Sequence, residues 1–584
     1  MTQYNFIFVA TLYYVDGRRG DDENEGTRLR KAFKTIQKCV DTAQPLDTCL
    51  IRRGRYHESI QIHKKRNIAL KGYKRDKPII DGSVVLNPQE GEWTMNEKGV
   101  CSGTINRDVY QLFLDDDMMT NARWPNALWK ENSQKEKTVF DSTYWGHSSE
   151  TSTKGNMVER DGLLASSNLN MTNAMAVLNT CSWATSVQRV DSHTPGSNEF
   201  RYSDEFEAQS CNFKASHNQF YLDSKIDLLD NPGEWHFDKT TKILSFMPFK
   251  NKCPDPRSDR VRGKTLDYGM NVIDSKNITV ANLTFFASSF VANSETMLTE
   301  NIILDSINFY FPSSSKRMLA KIDLPKWTQI NSKFGQDRGY FEVTNCKFYG
   351  GEGAALSYKG LRPKIHNNEF KWNDWTGQLS LQMHGGYGTV FGDGVEEEIS
   401  FNTFENNGCM TTFNPYASTR PKVTFNRVVG TGFGNIQNDG SGIHFQIKAQ
   451  NEGVIRQNWV YDTPKMGIRT DAATVSANMK LGQKTNVLNN VAFNTGRGFM
   501  IKGDNHTIKG NLALQNRNGN EECSLCIIRY MHNFNLKELS PLMNNRSLVE
   551  NNAAWLANGG KRPGWKPYNG GRWGLPEGEI NTYR

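Results

Sequence analysis

From about Tyr340 onward the apolar positions of this chain keep a short, repeated beat. "VTNCKFYGG", "IHNNEFKWN", "SFNTFENNG", "TFNRVVGTG", "RQNWVYDTP", "LNNVAFNTG", "KGNLALQN" and "ENNAAWLANG" each place an Asn, then an apolar residue one or two positions later, then a turn. The repeated residues are Asn345, Asn368, Asn402, Asn426, Asn458, Asn490, Asn511 and Asn552, set 21 to 41 residues apart. Within each unit two to five residues alternate in polarity, and no helical period separates them, so each unit is too small to bury its own apolar side. Units of this kind stack, which predicts a solenoid of β coils. The Asn has a role in it: its amide tolerates a left-handed turn and can bond to the same amide in the next coil, forming a ladder. Earlier copies occur in "ITVANLTFFAS" and "DSINFYF".

The pattern divides the chain into four parts. Residues 1–85 hold a cap and the first coils. There "RLRKAFKTIQKCVDTA" predicts a short amphipathic helix with Ala32, Ile36 and Val40 on its apolar side, closing the open end of the coil core. Over 86–262 the Asn beat stops and strands alternate with turn signals such as "NPGEW" and "DKTTK", predicting an inserted antiparallel β subdomain with a long loop at about 127–200. The coils resume over 263–560, and 561–584 is a Gly-, Pro- and Trp-rich tail.

Composition adjusts this picture modestly. Over 584 residues the apolar share is 37% and Gly numbers 49, which suits short strands and tight turns. No apolar run approaches the length of a membrane span. A net charge of +8 without a dense basic stripe argues against nucleic acid and is compatible with an acidic polysaccharide. Ten cysteines include Cys39 and Cys49, spaced to staple the helix to the strand after it, and "CSLC" at Cys523 and Cys526, which lacks the second pair of a zinc site. Sequons at Asn170, Asn277, Asn282, Asn505 and Asn545 point toward secretion, although the first residues show neither a basic n-region nor a cleavage site.

The opening "YYVDGRRGDDENEGTRLRKAFKTIQKCVDTA…DTCLIRRGRYHESI" resembles the first segment of right-handed parallel β-helix proteins of the pectin-lyase-like superfamily, and "NARWPN" with "PGEWHFD" resembles the β insertion of its carbohydrate-active members. The resemblance implies an all-β fold and a polysaccharide partner. It does not select among lyases, hydrolases, uronate epimerases and non-catalytic surface proteins. Calcium enters as a cofactor only through the calcium-dependent lyases of this fold. Glu396, Glu397 and Glu398 are the nearest match to their ligands, but the surrounding pattern departs from theirs, and the epimerases' D-P-H is absent.

Three strands suggest where chemistry would sit. Alignment of "GIHFQ", "GIRTD" and "MIKGD" points Ile443, Ile468 and Ile501 inward. His444, Arg469 and Lys502 then form one outward column and Gln446, Asp471 and Asp504 the next, with Asp439 entering from the preceding turn. Two of the carboxylates could serve a hydrolase; Lys502, Arg469 and His444 could remove and balance charge in a lyase; alternating charges could also simply solvate an exposed sheet. Lys448, His384 and His506, with Trp372, Trp375 and Trp124 as stacking rings, are the candidate substrate contacts. The expectation is a secreted, monomeric enzyme cleaving an acidic polysaccharide. The alternatives are a glycan-binding or adhesion protein and a trimeric tailspike.

Overall fold

The computed structural model describes residues 10–129, 138–181, 184–203, 219–377, 388–408, 411–415, 417–431, 440–446, 448–471, 484–502, 505–516, 525–528, 548–550 and 553–556, with 213 and 215. They form a parallel β-helix whose three long sheets contain thirteen, twelve and eleven strands. Each full coil gives one strand to each sheet in turn, as Lys422–Thr424, Arg427–Val429 and Ser441–Gln446 do. The next coil repeats the order with Val454–Arg456, Trp459–Tyr461 and Met466–Asp471.

The Asn beat marks the corner between the thirteen- and twelve-stranded sheets. Asn426 shows its chemistry: its backbone N–H and its Nδ2 both donate to Oδ1 of Asn458 at 3.0 Å, and Nδ2 also donates to the Ile399 carbonyl at 2.9 Å. Asn368, Asn402, Asn458 and Asn490 repeat the pattern, and Asn511 accepts at its end. The left-handed turn falls on the preceding residue, not on the ladder Asn: Asn367, Phe401, Phe425, Gln457 and Asn489 all have φ between 52° and 57°. Asn345 is likewise such a turn residue, and Cys346 takes the ladder position by donating its N–H to Asn368. Asn552 lies outside the described residues. A shorter second ladder joins Asn373 to Asn407. Inside, Phe285, Phe309, Phe348, Phe370 and Phe404 stack ring on ring at 4.7–5.0 Å, as one residue repeated at one strand spacing must.

At the open end, Ile36–Thr42 is the capping helix, with Ile36, Cys39 and Val40 buried and Cys39 bonded to Cys49 as expected. Ala32 is buried but precedes the helix, which starts late because Thr35 caps it and Glu58 accepts the N–H groups of Ile36 and Gln37.

Connection lengths differ sharply between corners. From the coil of Phe341–Thr344 onward, two residues always join the thirteen- to the twelve-stranded sheet. Long connections flank the eleven-stranded sheet instead, such as those between Val429 and Ser441 and between Asp471 and Asn486. The segment between Val85 and Val261 enters beside the same sheet. Its strands pair largely antiparallel, and a disulfide joins Cys101 to Cys253. The second half of the long loop expected at about 127–200 holds paired strands: Met175–Cys181 pairs with Ala184–His193 and with Gln219–Asp223, because "MAVLNTC" buries alternate residues on two faces. The insertion is locked to the coils by buried charge. Arg317 bonds Asp223 at 2.7 Å and lies 3.8 Å from Glu352, whose carboxyl is pushed above its ordinary range by burial.

Candidate active site

The outer face of the eleven-stranded sheet holds the candidate site. Register sets His444 beside Arg469 and Gln446 beside Asp471, as the alternation predicts. Although these side chains point away from the coil core, His444 and Arg469 are 2% and 6% exposed. They meet at one atom: Oδ2 of Asp471 lies 3.2 Å from His444 Nε2 and 2.5 Å from Arg469 Nη2. The next strand, Arg497–Lys502, contributes Arg497, whose pKa is lowered first by burial and then by the nearby charge of Arg469. Among the described residues, one carboxylate is thus held between an imidazole and a guanidinium, with the Arg497 charge near enough to act on Arg469.

The third strand departs from the expected alignment. Ile468 pairs with Phe499, and Ile501 pairs with Thr470, so Met500 follows Arg469 in the first column and Lys502 stands beside Asp471. Both registers put apolar residues inward, so alternation alone could not separate them. Glycines fix the choice: a Cβ on Gly442 would come within 2.8 Å of the Gly467 carbonyl, and one on Gly467 within 2.5 Å of the Gly498 carbonyl. Each coil thus needs Gly immediately before its first inward residue, which the sequence shows in "GIHF", "GIRT" and "GFMI".

Other expected residues fall elsewhere. Trp372 and Trp375 are buried in a cluster with Trp129 and Phe140 where the insertion meets the coils. Trp124 packs against Phe220 in the insertion core, so none of these rings is placed to stack on a sugar. His506 is buried in a coil turn and accepts the Thr485 N–H at Nδ1. Lys448 is exposed beyond the end of its strand. Asp439, Asp504, His384 and the side chain of Lys502 lie outside the described residues, as does Cys523. The three consecutive glutamates diverge: Glu396 binds Arg362 and Arg420, Glu397 turns inward to Tyr358, and Glu398 accepts from Ser400. Among the described residues no group of three His, Cys, Asp or Glu side chains could hold a metal ion, so the glutamates do not fit a calcium site.

The same face continues past His444. Asn414 precedes it in the column, Phe391 precedes Asn414, and Trp327 contacts Phe391 with ring centroids 5.8 Å apart. The strand alternation in "TTFNP" and "TVFGDG" carries both Asn414 and Phe391 outward, a signal readable only once the neighbouring register is known.

No family model matches the chain. A 74-residue stretch is 31% identical to the uncharacterized protein YwoF of Bacillus subtilis strain 168, covering 12% of this chain and 16% of that protein. A solved structure described as a glycoside hydrolase is similar over 94% of this chain and 96% of its own, with a TM-score of 0.58 and 12% identity. A lacto-N-biosidase from Eubacterium ramulus aligns over 94% of this chain and 68% of its own at 10% identity, with a TM-score of 0.37. At these identities the first likeness establishes the fold: this chain is a nearly all-β parallel β-helix.

Proposed function

We propose that this protein cleaves glycosidic bonds in an acidic polysaccharide at the outer face of its eleven-stranded sheet. The observation that carries the reading is the convergence of His444 and Arg469 on Asp471, on the sheet whose strands the long connections join. An ionised Asp471 accepts the Nε2 proton of His444, which makes Nδ1 the basic nitrogen of the neutral ring. An oriented imidazole beside the Arg469 guanidinium suits elimination. The base takes the proton next to a uronate carboxylate, Arg469 balances the charge that develops there, and the glycosidic oxygen leaves as the carbon–carbon double bond forms, taking a proton from solvent water.

Hydrolysis is a second reading, favoured by the full-length likeness to a structure described as a glycoside hydrolase. It would need a second carboxylate, from Asp439 or Asp504, about 5–5.5 Å from Asp471 for retention or 6.5–9.5 Å for inversion. The two disulfides support an extracellular setting. The resemblance of the opening segment supports the pectin-lyase-like superfamily, and we take the protein to act as a monomer.

The test is incubation with acidic and neutral polysaccharides, following both reducing ends and the absorbance of an unsaturated uronate. Both signals together are expected. Reducing ends alone would move the chemistry to hydrolysis. Binding without either signal would make this a glycan-binding protein.

A further inference from the structure

Asn414 is fully buried on the same sheet face, and neither its Oδ1 nor its Nδ2 has a hydrogen-bond partner among the described residues. Leaving both ends of an amide unpaired in a folded protein is costly unless something else satisfies them. Its position says what that could be. It stands one strand spacing, about 4.8 Å, from His444 on one side and from Phe391 on the other. Beyond Phe391 the partly exposed Trp327 is fixed by its Nε1–H, which donates to Ser357 Oγ at 2.8 Å.

The column thus runs from an aromatic pair, through a neutral amide, to the charged group of His444, Arg469 and Asp471. Phe391 to Arg469 spans three strand spacings, roughly 14 Å, longer than one sugar ring. The two ends select different chemistry. Near Arg469 and Arg497 an acidic group finds positive charge. At the aromatic end the nearest charge on the same strand and face is Asp393, offset by Arg338 at 2.9 and 3.0 Å and by Lys333 at 3.9 Å, so this end offers an acidic group no net positive charge. An amide offers one donor group and one acceptor, which matches a hydroxyl or acetamido group and gives a buried anion no counter-charge. Aromatic rings there match the apolar face of a neutral pyranose.

We infer that Trp327, Phe391 and Asn414 form a subsite for a neutral sugar next to the acidic sugar held at Arg469, so that the substrate is a heteropolysaccharide with neutral and acidic residues adjacent. This rests on the proposed function and names its substrate class.

The test measures binding to the intact protein by calorimetry with three oligosaccharides of equal length. One alternates uronate and N-acetylhexosamine (hyaluronan fragments), one is uronate throughout (alginate fragments), and one is neutral (xylo-oligosaccharide). The alternating probe is expected to bind at least about tenfold more tightly than either other. Asn414→Leu should weaken its binding about tenfold, and Phe391→Ala should do the same, without changing the weaker binding of alginate. Tightest binding of alginate or xylo-oligosaccharide, or unchanged affinity in Asn414→Leu, overturns the subsite while leaving the reading of the charged group intact. No binding of any probe removes that reading, and the subsite falls with it.

Discussion

The ladder asparagines and Asn414 hold the same residue type buried in one solenoid in two contrasting ways, bonded on all sides at a corner and unpartnered among the described residues on another face. Along the ladder, Asn426 has every polar atom engaged: its N–H and Nδ2 donate forward to Asn458, and its Oδ1 accepts from both donors of Asn402. On the eleven-stranded sheet, Asn414 is just as buried and has no partner among the described residues. The corner leaves two residues between strands and repeats without variation; the other face is flanked by the long connections. Regular geometry lets a coil satisfy its own polar groups. On the face proposed to receive a sugar, the amide is left for the ligand to satisfy.

The comparison breaks first at the charged group. Asp471→Asn keeps the shape and removes the charge that orients His444, so turnover of the cleaved polysaccharide should fall at least about a hundredfold with the fold retained. Circular dichroism would check the fold and a reducing-end assay the rate. Loss of less than about threefold would place catalysis elsewhere on the molecule.

The ladder should respond in the opposite sense, in stability. Asn426→Ala leaves the Asn402 N–H and Nδ2 without their acceptor and deletes the three bonds that Nδ2 donates, to Asn458, Ile399 and Thr424, so a loss of roughly 2–4 kcal/mol is expected in urea unfolding. A loss under about 0.5 kcal/mol would mean that the ladder is ornament on a fold held by its apolar core.

These regions were not equally legible in the sequence. The ladder repeats six Asn positions whose neighbours must also repeat, so spacing alone exposed the fold and the amide-to-amide bonds; it erred at Asn345, where Cys346 takes the slot, and in setting the left-handed turn on the ladder Asn rather than on the residue before it. The pair His444 and Arg469 was readable because both strands begin with Gly-Ile. Lys502 was misplaced by two residues because Phe499 and Ile501 are equally acceptable inward, and only the glycine contacts distinguish them. Trp372 and Trp375 looked like sugar platforms because nothing local reveals that Trp129, more than 240 residues earlier, covers them. Burial set by a distant insertion is not a local property.

Glu397 sharpens the comparison within the core itself. It is buried beside Tyr358, and burial raises its carboxyl from 4.5 to about 7. Between these values the folded protein holds a proton that the unfolded chain has released, so stability falls as pH rises from about 4.5 to about 7 and stays at the lower level above it. The full cost approaches roughly 3 kcal/mol. Glu397→Gln should remove that slope and stabilise the protein above pH 7, read from unfolding midpoints across the range. An unchanged slope would assign the pH dependence to other groups.

The smallest effect is the most discriminating. In Asn414→Leu, a side chain of similar size replaces an amide that donates and accepts nothing among the described residues, so no bond is lost and an unpaired buried dipole is removed. Unfolding stability should be unchanged or higher by up to about 1 kcal/mol, whereas the same exchange at Asn426 must lower it. That pair of variants separates the two uses of Asn without knowledge of any substrate. If Asn414→Leu costs as much as Asn426→Leu, Asn414 is one more structural amide, and the distinction between corner and face fails at the residue that defines it.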